Sequence, residues 1–131
     1  MAANPKETAT DAVNRTAQEI LDAFAAKDAA KAMSFYAPDA VIATAGRPAA
    51  RGHEAVSKAI SDDIADPNFK LSLSNKMTEV AGSGELAYRQ GTFTITFTDP
   101  RTNQAENAAG SYLDVFRKQA DGWKMVADFG V

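Results

Sequence analysis

The chain has no cysteine and a single histidine, His53, among its 131 residues. Disulfides, thiolate nucleophiles and thiolate metal sites are therefore excluded, and a histidine-rich metal centre has no ligands to draw on. No phosphate-cradling glycine loop and no metal-ligand spacing occur, so neither a cofactor nor a metal is expected. Positive charge is also short: 14 Lys and Arg stand against 17 Asp and Glu, a net charge of −3. A nucleic-acid partner would call for a basic face or stripe, and the sequence offers none. The apolar runs fall well below the ~18 residues that a membrane-spanning helix needs. The start, Met1 to Thr8, lacks the apolar run of a secretory signal, so a cytoplasmic protein without a membrane partner is expected.

What is present is an ordinary globular composition, 45% hydrophobic and 24% charged, with eight glycines and five prolines. The length suits one domain over residues 1–131, with residues 1–7 as a loose start. Up to Lys27 the apolar positions Val13, Ala17, Ile20, Leu21 and Phe24 recur at helical spacing between polar residues, which predicts a first helix. Asp28 is a candidate N-cap for a short second helix with Ala29, Ala32, Met33 and Tyr36 on its face and Pro38 as its stop. A short strand, Val41 to Thr44, leads to a third helix after Gly52 with Val56, Ala59, Ile60 and Ile64 on one side.

Beyond Pro67 the period changes from helical to alternating. Residues 69–81, 85–98, 105–119 and 123–130 read as strands, broken by Gly82-Ser83-Gly84, by Asp99-Pro100 with Asn103, and by Asp121-Gly122. Alternation is plainest from Thr92 to Thr98, where Phe93, Ile95 and Phe97 share one face and the threonines the other. In 69–81 the apolar parity slips between Leu73 and Val80, the mark of a bulge. Three helices followed by long strands predict an α+β conical barrel: a strongly curved antiparallel sheet enclosing three N-terminal helices.

Five local patterns then coincide: Phe35 to Val41, Arg51 to Val56, Glu85 to Tyr88, Gly110 to Lys118 and Asp121 to Phe129. Together they resemble the nuclear-transport-factor-like superfamily of cone domains, and within it the ketosteroid-isomerase-like and SnoaL-like (polyketide-cyclase-like) branch, over roughly residues 10–131. The resemblance implies an apolar cavity and frequent homodimers, but no single activity, since members include isomerases, cyclases, dehydratases and non-catalytic association domains. In steroid isomerase relatives a Tyr on the first helix and an Asp near the first strand carry the chemistry. Laid on this chain without gaps, those positions fall on Ile20 and Thr44. Isoleucine has no proton to give, and a threonine hydroxyl is no general base at neutral pH. A true ketosteroid isomerase is therefore not expected.

The resemblance makes Tyr112, Asp114 and Phe116 one inward-facing set, and Trp123, Met125, Ala127 and Phe129 another, with Asp128 on the opposite face. Asp114 is the candidate acid/base, although gap placement also permits Tyr112 at the family's acid position. Candidate ligand contacts are Tyr36, Tyr112, Phe116, Trp123, Met125 and Phe129. The competing reading has Asp114 paired with Arg89, Arg117, Lys118 or a helix end, or placed at a dimer interface. Two functions compete likewise. One is a domain binding a hydrophobic small molecule, with acid–base chemistry on a carbonyl compound. The other is a non-catalytic dimerising or ligand-sensing module.

Overall fold

A computed structural model describes residues 7–131; six of the seven residues expected to form a loose start lie outside that range. Glu7 itself is tied down, its carboxylate 2.8 Å from Nε of Arg15. Helix α1 runs from Ala9 to Ala25. Thr8 caps it by accepting from the Asp11 N–H at 3.0 Å, while the Asp11 carboxylate accepts from the Thr8 N–H. That reciprocal pair satisfies two of the donors a helix start leaves open. Val13, Ala17, Ile20 and Ala23 form the buried stripe. Asp28 caps α2, Ala29–Met33, by accepting from the Lys31 N–H.

The chain then departs from the sequence expectation. Strand β1 spans Tyr36–Thr44, so Tyr36 opens a strand instead of closing a helix, and Pro38 sits inside that strand. The cause is pairing with the last strand: the Phe35 carbonyl accepts from the Met125 N–H at 2.8 Å, and Tyr36 registers with Met125. Pro38 falls where register slips between Tyr36 and Val41, a bulge in which its missing N–H costs no ladder bond. The remaining elements are β2 (Ala50–Arg51), α3 (Gly52–Ala65), β3 (Lys70–Val80), β4 (Leu86–Asp99), β5 (Gln104–Gln119) and β6 (Gly122–Gly130). They form one six-stranded sheet in the order β2-β1-β6-β5-β4-β3. Every pairing is antiparallel except β1 with β6, which is parallel, so the expected α+β arrangement of three helices and a curved antiparallel sheet holds with one parallel pairing in it.

Two further bulges bend this sheet. On β3 the register shifts between Asn75 and Met77, leaving Lys76 as the extra residue where the parity slip had placed a bulge. Beside it Gly91 of β4 has no side chain because the Ser74 backbone leans onto that spot, and a Cβ there would strike it. On β6 the register shifts again: Phe116 pairs with Met125 and Val115 with Ala127, which leaves Val126 unpaired. Extra residues of this kind sharpen twist and let long strands wrap the helices.

The interior packs Val13, Ile20, Val56 and Ile60 from the helices against Phe116, Trp123 and Met125 from the sheet. Phe116 is 0% exposed and is among the largest wholly buried side chains. No helix among the described residues is long and apolar enough to cross a membrane. Because Phe116 is the piece that joins both layers, Phe116→Ala is expected to cost about 3–5 kcal/mol. Urea unfolding checks this as a lowered midpoint with an unchanged slope.

Candidate functional site

The bulge at Val126 reverses the inside–outside sense of β6. Trp123 and Met125 point inward ahead of it; beyond it the inward residue is Asp128, and Phe129 faces out at 44% exposure. The expectations for Phe129 and Asp128 are thus both reversed. The reason is one inserted residue, which shifts a period-two pattern by one. Pairing places Asp128 directly across from Asp114 of β5. The two carboxyls share a hydrogen bond, and Tyr36 of β1 donates its hydroxyl to Asp128 at 3.1 Å.

These groups sit on the wall of a cavity of about 120 Å3. Its apolar side comes from Ile20, Leu21 and Phe24 of α1 and from Leu71, Leu73, Phe93 and Ile95 of the sheet. Its polar side is Tyr36, Asp63, Tyr112, Asp114 and Asp128. Ile20 and Thr44 both line it as well, so the two positions that lack isomerase chemistry do face the hollow. Among the candidate contacts, Tyr36, Tyr112 and Met125 line the cavity. Phe116 and Trp123 are buried in the packed core instead. Tyr112 donates to Asn75 Oδ1 at 2.7 Å, which fixes its ring at the wall.

Burial sets the electrostatics. Asp114, only 4% exposed, is pushed up to about 9, first by loss of water and then by the charge and hydrogen bond of Asp128, with Arg89 pulling the other way. Asp128 is raised by burial, while its bonds to Asp114 and Tyr36 favour its charged form. Tyr36 is raised well above the usual phenol range by burial and by the neighbouring Asp128 charge, so it stays a donor. Asp63 of α3 is raised by burial, against the pull of Arg47, whose Nη1 lies 3.6 Å away. Two carboxyls in contact cannot both ionise cheaply, so the pair holds one proton between them. Tyr36 donates to Asp128, which makes Asp128 the charged member and Asp114 the neutral one.

Asp63, Asp128 and Arg89 were not singled out as inward groups by sequence. Arg89 carried a usable signal: it has the same strand parity as Phe93 and Ile95, both of which face the cavity. Arg89 is 8% exposed, stands opposite Asp114 in the β4–β5 register, and appears in none of the ion pairs of the described residues. Among the alternatives for Asp114, a direct pair with Arg117 does not occur, since Arg117 binds Asp39 at 2.8 Å. His53 is exposed on α3. No group of three metal-ligating side chains is gathered among the described residues.

A family model for the SnoaL-like domain matches residues 13–128, and the chain belongs to that family. No functionally curated protein matches it in sequence. Solved structures share its fold. A ketosteroid isomerase-like protein from Erwinia carotovora atroseptica is 24% identical with a TM-score of 0.78, over 97% of this chain and 96% of that one. A conserved protein from Planctomyces limnophilus is 21% identical with a TM-score of 0.76, over 92% and 94% of the two chains. An NTF2-like protein with a cystatin-like fold from Novosphingobium aromaticivorans is 16% identical with a TM-score of 0.70, over 92% and 79%. At these identities the likeness establishes the fold alone.

The buried pair makes stability depend on pH in a stated sense. An unfolded Asp114 releases its proton near 3.8, whereas the folded one keeps it to about 9. Between those values the folded state binds more protons, so stability falls as pH rises. Asp128 and Asp63, also raised, act in the same direction. Urea midpoints are expected to drop between about pH 5 and about pH 9. Asp114→Asn is expected to flatten that slope and to be the more stable protein at its alkaline end.

Proposed function

We propose that this protein binds a compact, largely apolar carbonyl compound in the cavity and moves a proton on it through Asp114 and Asp128. The observation carrying this reading is the pair itself: two carboxyls in contact across β5 and β6, on the polar side of an otherwise oily wall. Small-ligand sites have this build, apolar surface with a few convergent polar groups. Charged Asp128 takes a proton from the carbon next to the carbonyl. The C–H electron pair moves into the carbonyl, whose oxygen becomes an enolate that neutral Asp114 receives by donating its hydrogen bond. Return of the proton to the same or a conjugated carbon gives exchange or isomerisation, and no oxidant or cofactor enters the balance. The cavity volume of about 120 Å3 narrows the candidates: it is just under the ~150 Å3 void that holds a benzene ring, which suits a short-chain compound.

Exchange of α-protons in D2O, followed by NMR over small ketones and aldehydes, tests the reading. Wild type is expected to exchange at least one compound faster than buffer. Asp128→Asn and Asp114→Asn should each slow that exchange by about 10²–10⁴-fold. A panel in which wild type never exceeds buffer, or in which both variants match wild type, removes the acid–base role.

A homodimer is favoured by a separate observation. The convex face of the sheet exposes Leu86, Leu113 and Phe129 at 44–46%, beside a groove lined by Tyr88 and Val115. Apolar surface gathered in this way is what an interface between copies would cover. This reading needs no chemistry in the cavity and would stand for a non-catalytic member. Sedimentation is expected to give twice the chain mass at micromolar concentration, and Leu113→Glu on that face to give a monomer. A strict wild-type monomer ends this reading.

A further inference from the structure

Four side chains line two hollows at once. Leu21, Phe24, Phe69 and Leu71 belong to the wall of the cavity and also to an open groove of about 590 Å3 beside it. They form the partition between the two. The groove runs from the end of α1, where Ala25 and Lys27 border it, to the approach and first residues of β3, where Pro67, Lys70 and Ser72 do. The cavity on the other side of the partition holds only about 120 Å3.

The centre of the partition is an aromatic pair. The rings of Phe24 and Phe69 stand with their centroids 5.8 Å apart and their planes tilted by 36°. Rings at that spacing attract each other beyond what their burial supplies. Leu21 lies one turn before Phe24 on the same helix face, and Leu71 follows Phe69 at the two-residue spacing of one strand face. Both segments are tied down. The Phe69 N–H donates to the Asp66 carbonyl at 3.1 Å. The Asp66 carboxylate accepts from the N–H groups of Asn68 at 2.9 Å and Thr98 at 2.7 Å, which fastens this turn to the end of β4. The Asn68 side chain adds a bond to the Thr98 hydroxyl at 2.8 Å. On the other side Lys27 donates to the Ile64 carbonyl at 3.3 Å, tying the end of α1 to α3. Two rings held in this way make a partition of fixed position.

We infer that Phe24 and Phe69 are the residues that set ligand length, acting as a sieve between the groove and the cavity. This rests on the cavity reading of the proposed function and deepens it: the substrate class becomes carbonyl compounds of roughly six non-hydrogen atoms or fewer, by comparison with the void that holds benzene. In an open apolar pocket each added methylene strengthens binding, because more hydrocarbon leaves water. Behind a fixed partition the added carbons meet the two rings instead, and binding weakens. Loss of either ring joins cavity and groove, so the preference turns toward the longer chain.

The test compares butanone with its longer homologue methyl hexyl ketone by NMR titration of the full chain. Binding is read at the methyl groups of Ile20 and Leu73, which line the cavity and not the groove. Wild type is expected to hold butanone at least about tenfold more tightly than the longer ketone, a difference of about 1.4 kcal/mol. Phe24→Ala and Phe69→Ala should each reverse that order. Phe97→Ala, which removes a ring bordering neither hollow, should keep the wild-type order. Should either alanine variant lose its melting transition, the leucine variant at that position decides: a gain of the longer ketone on butanone supports the sieve, and an unchanged order overturns it. Wild type taking the longer ketone as tightly as butanone, both alanine variants keeping the wild-type order, or Phe97→Ala reversing it overturns the sieve and leaves the cavity reading standing. Methyl signals that neither ketone moves in wild type overturn the cavity reading and the sieve with it.

Discussion

A single inserted residue, Val126, decides what this interior contains. Without it, β6 would keep its starting phase and present Phe129 to the hollow and Asp128 to solvent. With it, Asp128 turns inward at the point where its strand faces Asp114 and where β1 brings up Tyr36. The bulge thus exchanges an aromatic for an acid in the wall. It also moves an apolar ring to the convex face, where Phe129 pairs in register with Leu113. One backbone irregularity therefore shapes both the polar pocket and the apolar outer surface.

Much of the architecture was legible because it rests on periodicity. The predicted strands 69–81, 85–98, 105–119 and 123–130 end within one residue of those observed. The β3 bulge announced itself because its parity slip lies between residues that differ in polarity. The β6 bulge did not, because Trp123, Met125, Ala127 and Phe129 keep one parity straight through it. An apolar pattern that does not slip reads as a regular strand, and the small Ala127 tolerates either face. Tyr36 misled for a different reason. Its spacing from Ala32 and Met33 suits a helix, and only its distant partner Met125 makes it a strand. Long-range pairing of that kind overrides local propensity and leaves no local trace.

The positions aligned with isomerase chemistry add a physical point. Ile20 and Thr44 do face the cavity, so the sequence comparison found the right places and the wrong functional groups. In this chain the ionisable set has moved to the floor formed by β1, β5 and β6. A proton donor on a strand is held by its ladder on both sides, whereas a helix side chain is held only by its packing. Tyr36, Asp114 and Asp128 occupy three adjacent strands, with β6 in the middle. Their separation is fixed by the hydrogen-bond spacing of the sheet, and the pair can stay in contact without a lid or loop to close it.

The cost of these buried charges is met by a division of the interior. Along β5 the inward residues run from Tyr112 through Asp114 to Phe116, from a hollow end to a filled one. At the filled end Phe116, Trp123, Val56 and Ile60 exclude water completely or nearly so, and each contributes roughly 1.5–3 kcal/mol by burial. At the hollow end the wall is apolar but unfilled, and packing there contributes less. Asp114 lies at the boundary, dry because of the neighbours on one side and reachable from the cavity on the other. Moving the same acid two residues toward Phe116 would bury it beyond any ligand; moving it four residues the other way, to the level of Gly110, would put it among exposed and half-exposed positions, with its proton affinity falling back toward that of a solvated carboxyl. The boundary is where a carboxyl can be both strongly perturbed and accessible, and the register set by Val126 brings its partner to that same level.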